Sequence, residues 1–512
     1  MKIQLLKYRI ICVILMLFIS FGSVVAQDAP LQGFDDYVKK AMEEWKAAGL
    51  AVAIVKDDKI VFAKGYGVRE MGKPDPVTPN TIFAIGSSSK AFTAASMAIL
   101  VDEGKVKWSD PASKYLPGFQ LYDPWVTREL SVTDLLSHRV GLERGDLMWY
   151  ASSFSREEIL RRIRFLKPSS SMRSRFGYQN IMYLAAGQIV PSVTGKSWDD
   201  FVGERIFTPL GMKSSVTSTK PLANSKDVAT PHMVVEDKIK PIAWRNIDNI
   251  APAGSINSNV TDMAQWVRMQ LGTGKYDGKQ VISEAGIKNM WASHTIIPLE
   301  GPGFGMFYPK AHFLNYGMGW FLSDFNGKKM VEHGGAIDGM RSAVAMIPEE
   351  KLGVVILSNM NQTGLNLALA QRIFDSFMGA KEKDWSGDIL KGLKAQEAVG
   401  KAAQDKMIAE RAKDTKPSQD LAKYAGDYQD EMYGDVKVTL ENGKLKINYG
   451  AGFKGTLEHW HFDTFQVTWS EDVQGKGFVN FKLNTSGKID SIGVDGISEF
   501  KRMPDKPQTA NK

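Results

Sequence analysis

The sequence predicts an α+β fold: an antiparallel sheet flanked by helices with a helical lobe, plus a small all-β C-terminal domain. Two observations predict the first part. A strand hairpin stands near the start, and a series of strand-like segments between 316 and 358 ends in an apolar helix, with mostly helical patterns between the two. A third observation predicts the second part: beyond residue 418, short alternating segments recur with polar, Gly-containing turns between them.

Residues 1–26 read as a signal peptide. Lys2, Lys7 and Arg9 make a basic start, Ile10 to Ile19 an apolar core, and Val24-Val25-Ala26 a small-residue exit. The expected location is therefore secreted or periplasmic, with no membrane span once the signal is removed. The single cysteine, Cys12, falls inside this segment. A processed chain would have no thiol, which excludes disulfides, cysteine catalysis and thiolate metal sites. His232, His294, His312, His459 and His461 show no ligand spacing, so neither a metal nor another cofactor is expected. The formal net charge is +7, but basic residues are scattered among acids, which excludes a nucleic-acid footprint.

Residues 27–379 form the first expected domain. Phe34, Val38, Ala41, Met42 and Trp45 fall at helical spacing. Leu50–Val55 and Ile60–Ala63 are strand-like and joined by the turn Lys56-Asp57-Asp58-Lys59. Residues 131–142 predict a short capped helix closed by Gly141, and Ile181–Val190 a second apolar helix. Further helices are predicted at 198–206 and 261–271, with Pro252–Ser255 a tight loop and 301–305 a flexible one. Tyr316–Phe321, Lys329–His333, Arg341–Ile347 and Leu352–Ser358 read as successive strands, and Leu365–Met378 as the closing helix. Residues 380–417 are rich in Lys, Glu, Asp, Ala and Gln and predict a charged helical linker. Residues 418–512 predict a small β-barrel or half-barrel.

The chemistry is suggested by Ser87-Ser88-Ser89-Lys90, where small polar residues give way to the apolar run Ala91–Leu100. This predicts the start of a helix too apolar for a surface. Ser87 and Lys90 then stand one turn apart on one face. A lysine enclosed by apolar neighbours has a lowered pKa and can take a proton from a serine hydroxyl. The first-turn N–H groups lack helical partners and point at developing negative charge. Taken alone, Ser-x-x-Lys is a weak signal, because both residues are common and an ordinary core helix explains the rest.

Two more stretches line up with it. Tyr178-Gln179-Asn180 heads the second apolar helix, and His333-Gly334-Gly335 follows a strand. In order and spacing the three resemble the motifs of the serine β-lactamase and penicillin-binding protein superfamily: Ser-x-x-Lys, Tyr-x-Asn, and Lys-Thr-Gly or its His-x-Gly variant. The closest likeness is to the class C β-lactamase, DD-peptidase and esterase branch, over about residues 34–378. Flanking stretches such as Asp134–Leu142 and Pro252-Ala253-Gly254 share it.

The resemblance implies that Ser87 is the acylated nucleophile and Lys90 its partner base. It makes Tyr178 the proton shuttle, Asn180 the residue that orients Lys90 and the substrate amide, and His333 the third-motif cation. Gly335 would let the substrate lie against the strand edge, and the backbone N–H groups of Ser87 and Ala336 would form the oxyanion hole. Gln179 and Asp338 would also meet the substrate, Asp338 adding a negative charge. Two features depart from the pattern: Gln179 stands where small residues are commoner, and His333 replaces lysine, so a permanent anion anchor is missing.

The resemblance thus implies a serine hydrolase or acyltransferase acting on small esters or D-amino-acid amides. Acyl transfer to a small hydrophobic alcohol or amine, weak β-lactamase activity and a non-catalytic penicillin-binding sensor stay open beside it. The expected partner is a small-molecule or peptide substrate, and the C-terminal domain leaves room for oligomerisation. His138 reads as structural. Trp149, Tyr150, Trp244, Phe304, Met306, Phe307 and Tyr308 either line an apolar cleft or pack against their own loops. The tail holds none of the candidate groups and is expected to pack as a separate unit.

Overall fold

The computed structural model describes residues 30–504, apart from 237, 362 and 363. The expected signal peptide lies outside the described residues. Helix α1 (Phe34–Glu44) buries Phe34, Val38, Ala41 and Met42. Strands β1 (Gly49–Lys56) and β2 (Lys59–Gly67) form the expected hairpin. Its two turn residues, Asp57 and Asp58, have φ of 49° and 62°. That left-handed pair matches the natural twist of the flanking strands.

The sheet continues with β3 (Thr295–Ile296), β4 (Leu314–Tyr316), β5 (Phe321–Phe325), β6 (Lys328–Ile337), β7 (Met340–Ile347) and β8 (Leu352–Ser358). The order is β2-β1-β8-β7-β6-β5-β4-β3, antiparallel throughout. Every residue of β8 and all but the last of β1 are buried, because helices cover both faces. On one face lie α1 and α6 (Gly364–Phe377). On the other lies the larger core, containing α2 (Ser89–Asp102), α3 (Val132–Leu136), α4 (Asn180–Thr194) and α5 (Val260–Leu271).

Several elements differ from expectation. Tyr316–Phe321 is not one strand: β4 ends at Tyr316, β5 starts at Phe321, and the chain turns between them. A Cβ at Gly319 would lie 2.8 Å from Ala91 Cα, so the glycines let this turn press on α2. Helix α3 is shorter than predicted. A reciprocal Ser131–Asp134 capping box starts it, and His138, at φ 54°, lies in the turn that follows, ahead of Gly141. Pro252 sits in a short helix, Ala251–Gly254, where a loop was expected, and Pro302–Phe307 is helical too.

The linker helix α7 (Trp385–Ala409) anchors its first turns by Trp385, Ser386 and Ile389, with Leu390 and Leu393 packed against the same core, and is exposed from residue 394 onward. Beyond it, β9 to β16 (426–430, 434–441, 444–449, 453–461, 464–469, 476–483, 489–494 and 498–502) form a closed barrel in which each strand pairs with the next. The first and last of these strands are short and largely polar. They close the barrel through Tyr428↔Arg502 and Gln429↔Lys501. The barrel has its own core but does not pack as a separate unit. Leu147, Tyr150 and Ala151 of the first domain pack against the barrel core, and barrel residue Met432 is buried in the larger core of the first domain.

Candidate active site

Ser87 occupies a 3₁₀ turn, Gly86–Ser88, that leads directly into α2. The neighbouring serines are committed to structure. Ser88 Oγ donates to the His333 carbonyl at 3.0 Å and lies 2.9 Å from Ser342 Oγ. Ser89 Oγ accepts from the Ile256 N–H at 3.1 Å. Only Ser87 of the three lines the cavity.

Lys90 has no exposed surface. Its Nζ lies 3.1 Å from Ser87 Oγ and donates to the Ala253 carbonyl at 2.8 Å. Burial pushes its pKa well below the ordinary lysine value; Asp146 opposes that shift and Arg144 adds to it. Tyr178 lines the cavity beside Ser87, and burial raises its pKa, so it is a neutral phenol. The Tyr178 ring lies 4.9 Å from Lys90 Nζ. His138 packs beneath it, ring to ring at 4.2 Å, and its Nδ1 accepts from the Gln179 N–H at 3.1 Å. Desolvation holds His138 neutral.

Four assignments need correction. Asn180 does not hold Lys90: its amide donates to Asp146 Oδ1 at 2.8 Å, and the Ala253 carbonyl takes the anchoring role. Gln179 does not face the cavity. It is buried as the cap of α4, accepting from the Ile181 N–H at 3.0 Å and donating to the Glu143 carbonyl. His333 is not a cation. Its Nδ1 donates to the Gly334 carbonyl at 2.6 Å, which leaves Nε2 to accept from the Tyr316 hydroxyl at 3.0 Å. Desolvation lowers its pKa to about 3. Asp338 does not offer a free negative charge: Arg245 donates to it at 2.9 Å and the Tyr150 hydroxyl at 2.7 Å.

Strand β6 crosses the Ser87 turn at close range. A Cβ at Gly335 would fall 1.8 Å from the Ile85 carbonyl oxygen, and one at Gly86, where φ is +50°, would fall 2.6 Å from Ala336 N. Glycine at both positions brings the Ala336 backbone beside the Ser87 turn. Beyond Glu332, β6 has no strand partner on its β5 side, so that edge faces the cavity.

The cavity holds about 370 Å³. Trp149, Ile247, Ile250, Phe321 and Ile337 give it apolar walls. Of the seven candidate cleft aromatics and methionine, only Trp149 lines it. Tyr150 and Trp244 are engaged elsewhere, and Met306, Phe307 and Tyr308 pack towards the smaller core. Arg144 and Arg341 bring positive charge to the wall. Burial lowers the Arg341 pKa to about 10, which leaves it charged near neutrality, and its Nε has no hydrogen-bond partner among the described residues. The sequence reading missed Arg144, Asp146, Arg341 and the role of Ala253. None sits in a recognisable spacing; only the Pro252-Ala253-Gly254 stretch hinted at the last. Among the described residues no group of three or more His, Cys, Asp or Glu could hold a metal ion.

A buried lysine beside a serine hydroxyl, a neutral phenol in the same cavity and a strand edge without a partner define a serine hydrolase site. The chain belongs to the β-lactamase family: the β-lactamase family model matches residues 34–376. A second model, for a domain of unknown function, matches residues 410–509. Among curated proteins, the chain is 30% identical over 429 residues to an unguisins hydrolase from Aspergillus campestris, covering 80% of this chain and 77% of that one. It is 28% identical over 519 residues to an unguisins hydrolase from Aspergillus violaceofuscus, covering 92% and 89%. Among solved structures, the octameric penicillin-binding protein homologue from Pyrococcus abyssi matches with a TM-score of 0.62 and 22% identity, over 92% of this chain and 100% of that one. That likeness establishes the fold.

Proposed function

We propose that the protein hydrolyses small esters and D-amino-acid amides through an acyl-enzyme on Ser87. The observation that carries this reading is the 3.1 Å separation of Ser87 Oγ from Lys90 Nζ, with the lysine wholly buried. Neutral Lys90 takes the Ser87 proton as the Oγ–carbon bond forms. The oxyanion that develops accepts from the backbone N–H groups of Ser87 and Ala336. Tyr178 then passes its proton to the departing alkoxide or amine and is reprotonated by Lys90, which leaves the acyl group on Ser87 and both groups neutral. Water attacks that ester as the Lys90–Tyr178 pair takes its proton, and the pair returns that proton to Ser87 Oγ as the acid departs. The hydrolase names of the two relatives support this chemistry.

Arg341 supports substrates that carry a carboxylate near the reacting carbonyl, since His333 supplies no charge there. A second reading is favoured by the apolar walls: a small hydrophobic alcohol in the cavity would compete with water for the acyl group. A secreted or periplasmic setting is supported by the character of residues 1–26. The test is mass spectrometry after reaction with an activated ester, with and without an alcohol acceptor. A stable adduct on Ser87, absent in Ser87→Ala and kept in Ser88→Ala and Ser89→Ala, is expected. An adduct that survives Ser87→Ala would overturn the assignment.

A further inference from the structure

We infer that the C-terminal barrel is a working part of the catalytic site, because it fixes the loop carrying Asp146, a positioning residue for Asn180 and Trp149 in the cavity wall. This rests on the acyl-enzyme reading above. One Asp146 oxygen accepts from Asn180 Nδ2 at 2.8 Å and from Trp149 Nε1 at 2.8 Å, while the other accepts from Arg144 Nε. All three donors line the cavity around Ser87. A single carboxylate therefore sets the place of three wall residues.

The loop around it has little regular structure of its own. A single 3₁₀ turn, Asp146–Met148, follows Gly145 at φ +60°. On one side Met148 is buried in the larger core of the first domain. On the other side the barrel holds the loop. Leu147, Tyr150 and Ala151 pack on the barrel core. Tyr449 donates from its hydroxyl to the Leu147 carbonyl at 3.2 Å, and the Gly452 N–H donates to the Ala151 carbonyl at 3.1 Å. A Cβ at Gly452 would lie 2.5 Å from Ala151 Cβ, so the approach is as close as the backbone permits.

A charge cluster adds a second tie. Arg245, 16% exposed, bridges Asp338, 10% exposed, and Glu471 of the barrel, 41% exposed, while Tyr150 of the loop donates to the same Asp338. Asp338 follows Ala336 by two residues. The barrel, the Asp146 loop and the end of β6 thus meet in one cluster, in which the Arg245–Asp338 pair is largely buried and the Glu471 arm is open to water.

The test uses the full chain and p-nitrophenyl acetate, which is too small to reach the barrel. Asp146→Ala is expected to lower kcat about tenfold or more with KM little changed, and Asp146→Asn, which keeps an acceptor for Asn180 and Trp149, to recover most of it. Lys90 is faced by Arg144, Asp146, Tyr178, Tyr183, His138 and His333. Loss of the Asp146 charge should therefore move the acid limb of the pH–rate profile to lower pH. The barrel double variant Tyr449→Phe, Glu471→Gln should lower kcat about threefold or more, and should cost nothing further in the Asp146→Ala background. Wild-type kcat in the double variant, or losses that multiply with Asp146→Ala, would overturn the inference. Circular dichroism of each variant separates these results from misfolding. If the wild-type protein forms no adduct on Ser87, the acyl-enzyme reading fails instead, and the two failures are distinct.

Discussion

Lys90 reaches Ser87 from the next turn of the chain, Nζ to Oγ at 3.1 Å, and does so with no exposed surface. Burial costs the charged form its hydration, so the lysine gives up its proton far below the ordinary lysine pKa. Acylation should rise with pH as Lys90 loses its proton and should fall on the acid side of that step. Lys90→Ala should slow acylation by about 10²–10⁴-fold, the usual worth of a positioned base. Lys90→Arg should be as poor, because a guanidinium keeps its proton. Stopped-flow acylation by an activated ester measures this, and an active Lys90→Arg variant would show that no base is needed at that position.

Arg341 supplies the charge that His333 lacks. Its guanidinium lines the cavity and keeps its charge near neutrality, with Nη1 steadied by the Met340 carbonyl at 2.9 Å, so it can pair with an anion there. Arg341→Gln should raise KM for an ester bearing a carboxylate by about tenfold or more, the worth of a charged hydrogen bond. A matched neutral ester should be little affected. Equal losses on both esters would assign Arg341 to packing alone.

Much of this was legible in the sequence, and the reason is local chemistry. The Ser87 helix start, the hairpin at Asp57-Asp58 and the strands β6, β7 and β8 all announce themselves within about ten residues. What stayed hidden depends on contacts between distant segments. Asn180 points at Asp146 because the loop after α3 folds back over the cavity, and no spacing encodes that. Asp338 looked free because Arg245 and Tyr150, its partners, lie 93 and 188 residues away along the chain. Docking of the barrel was missed for the same reason: Leu147 and Met432 are unremarkable until each is found in the other domain's core.

His333 should make the fold sensitive to acid. Its folded pKa, about 3, lies below the unfolded value near 6.5, so the unfolded chain binds more protons between those limits. Stability is therefore lost as pH falls below about 6.5, and the loss levels off below about 3. At pH 4 the share of His333 is on the order of 3 kcal/mol. His138, also buried and neutral, acts with the same sign. Urea melts at pH 7 and pH 4 should show a smaller drop for His333→Gln than for the wild type. Equal drops would mean that His333 is solvated and free to charge.

Gly335 tests how closely the strand must approach Ser87. An added Cβ would overlap the Ile85 carbonyl oxygen at 1.8 Å and crowd Ser342 Oγ at 2.5 Å. Backbone on one side and a committed hydroxyl on the other cannot both move aside, since Ser342 Oγ donates to that same carbonyl at 2.7 Å. Strand β6 must therefore retreat from the Gly86–Ser88 turn and take the Ala336 N–H with it. Gly335→Ala should slow acylation by about 10²–10³-fold, as loss of an oxyanion donor does. Its cost to stability should be only about 1–3 kcal/mol, as for other overpacked sites. Gly334→Ala, whose Cβ would meet only the Ser342 carbonyl oxygen at 3.2 Å, should retain much more activity. Gly303→Ala, with nothing within 4 Å, should be silent. Acylation rates and urea melts of the three variants decide the matter: a Gly335→Ala protein acylated at the wild-type rate would show that the oxyanion is held by some group other than Ala336.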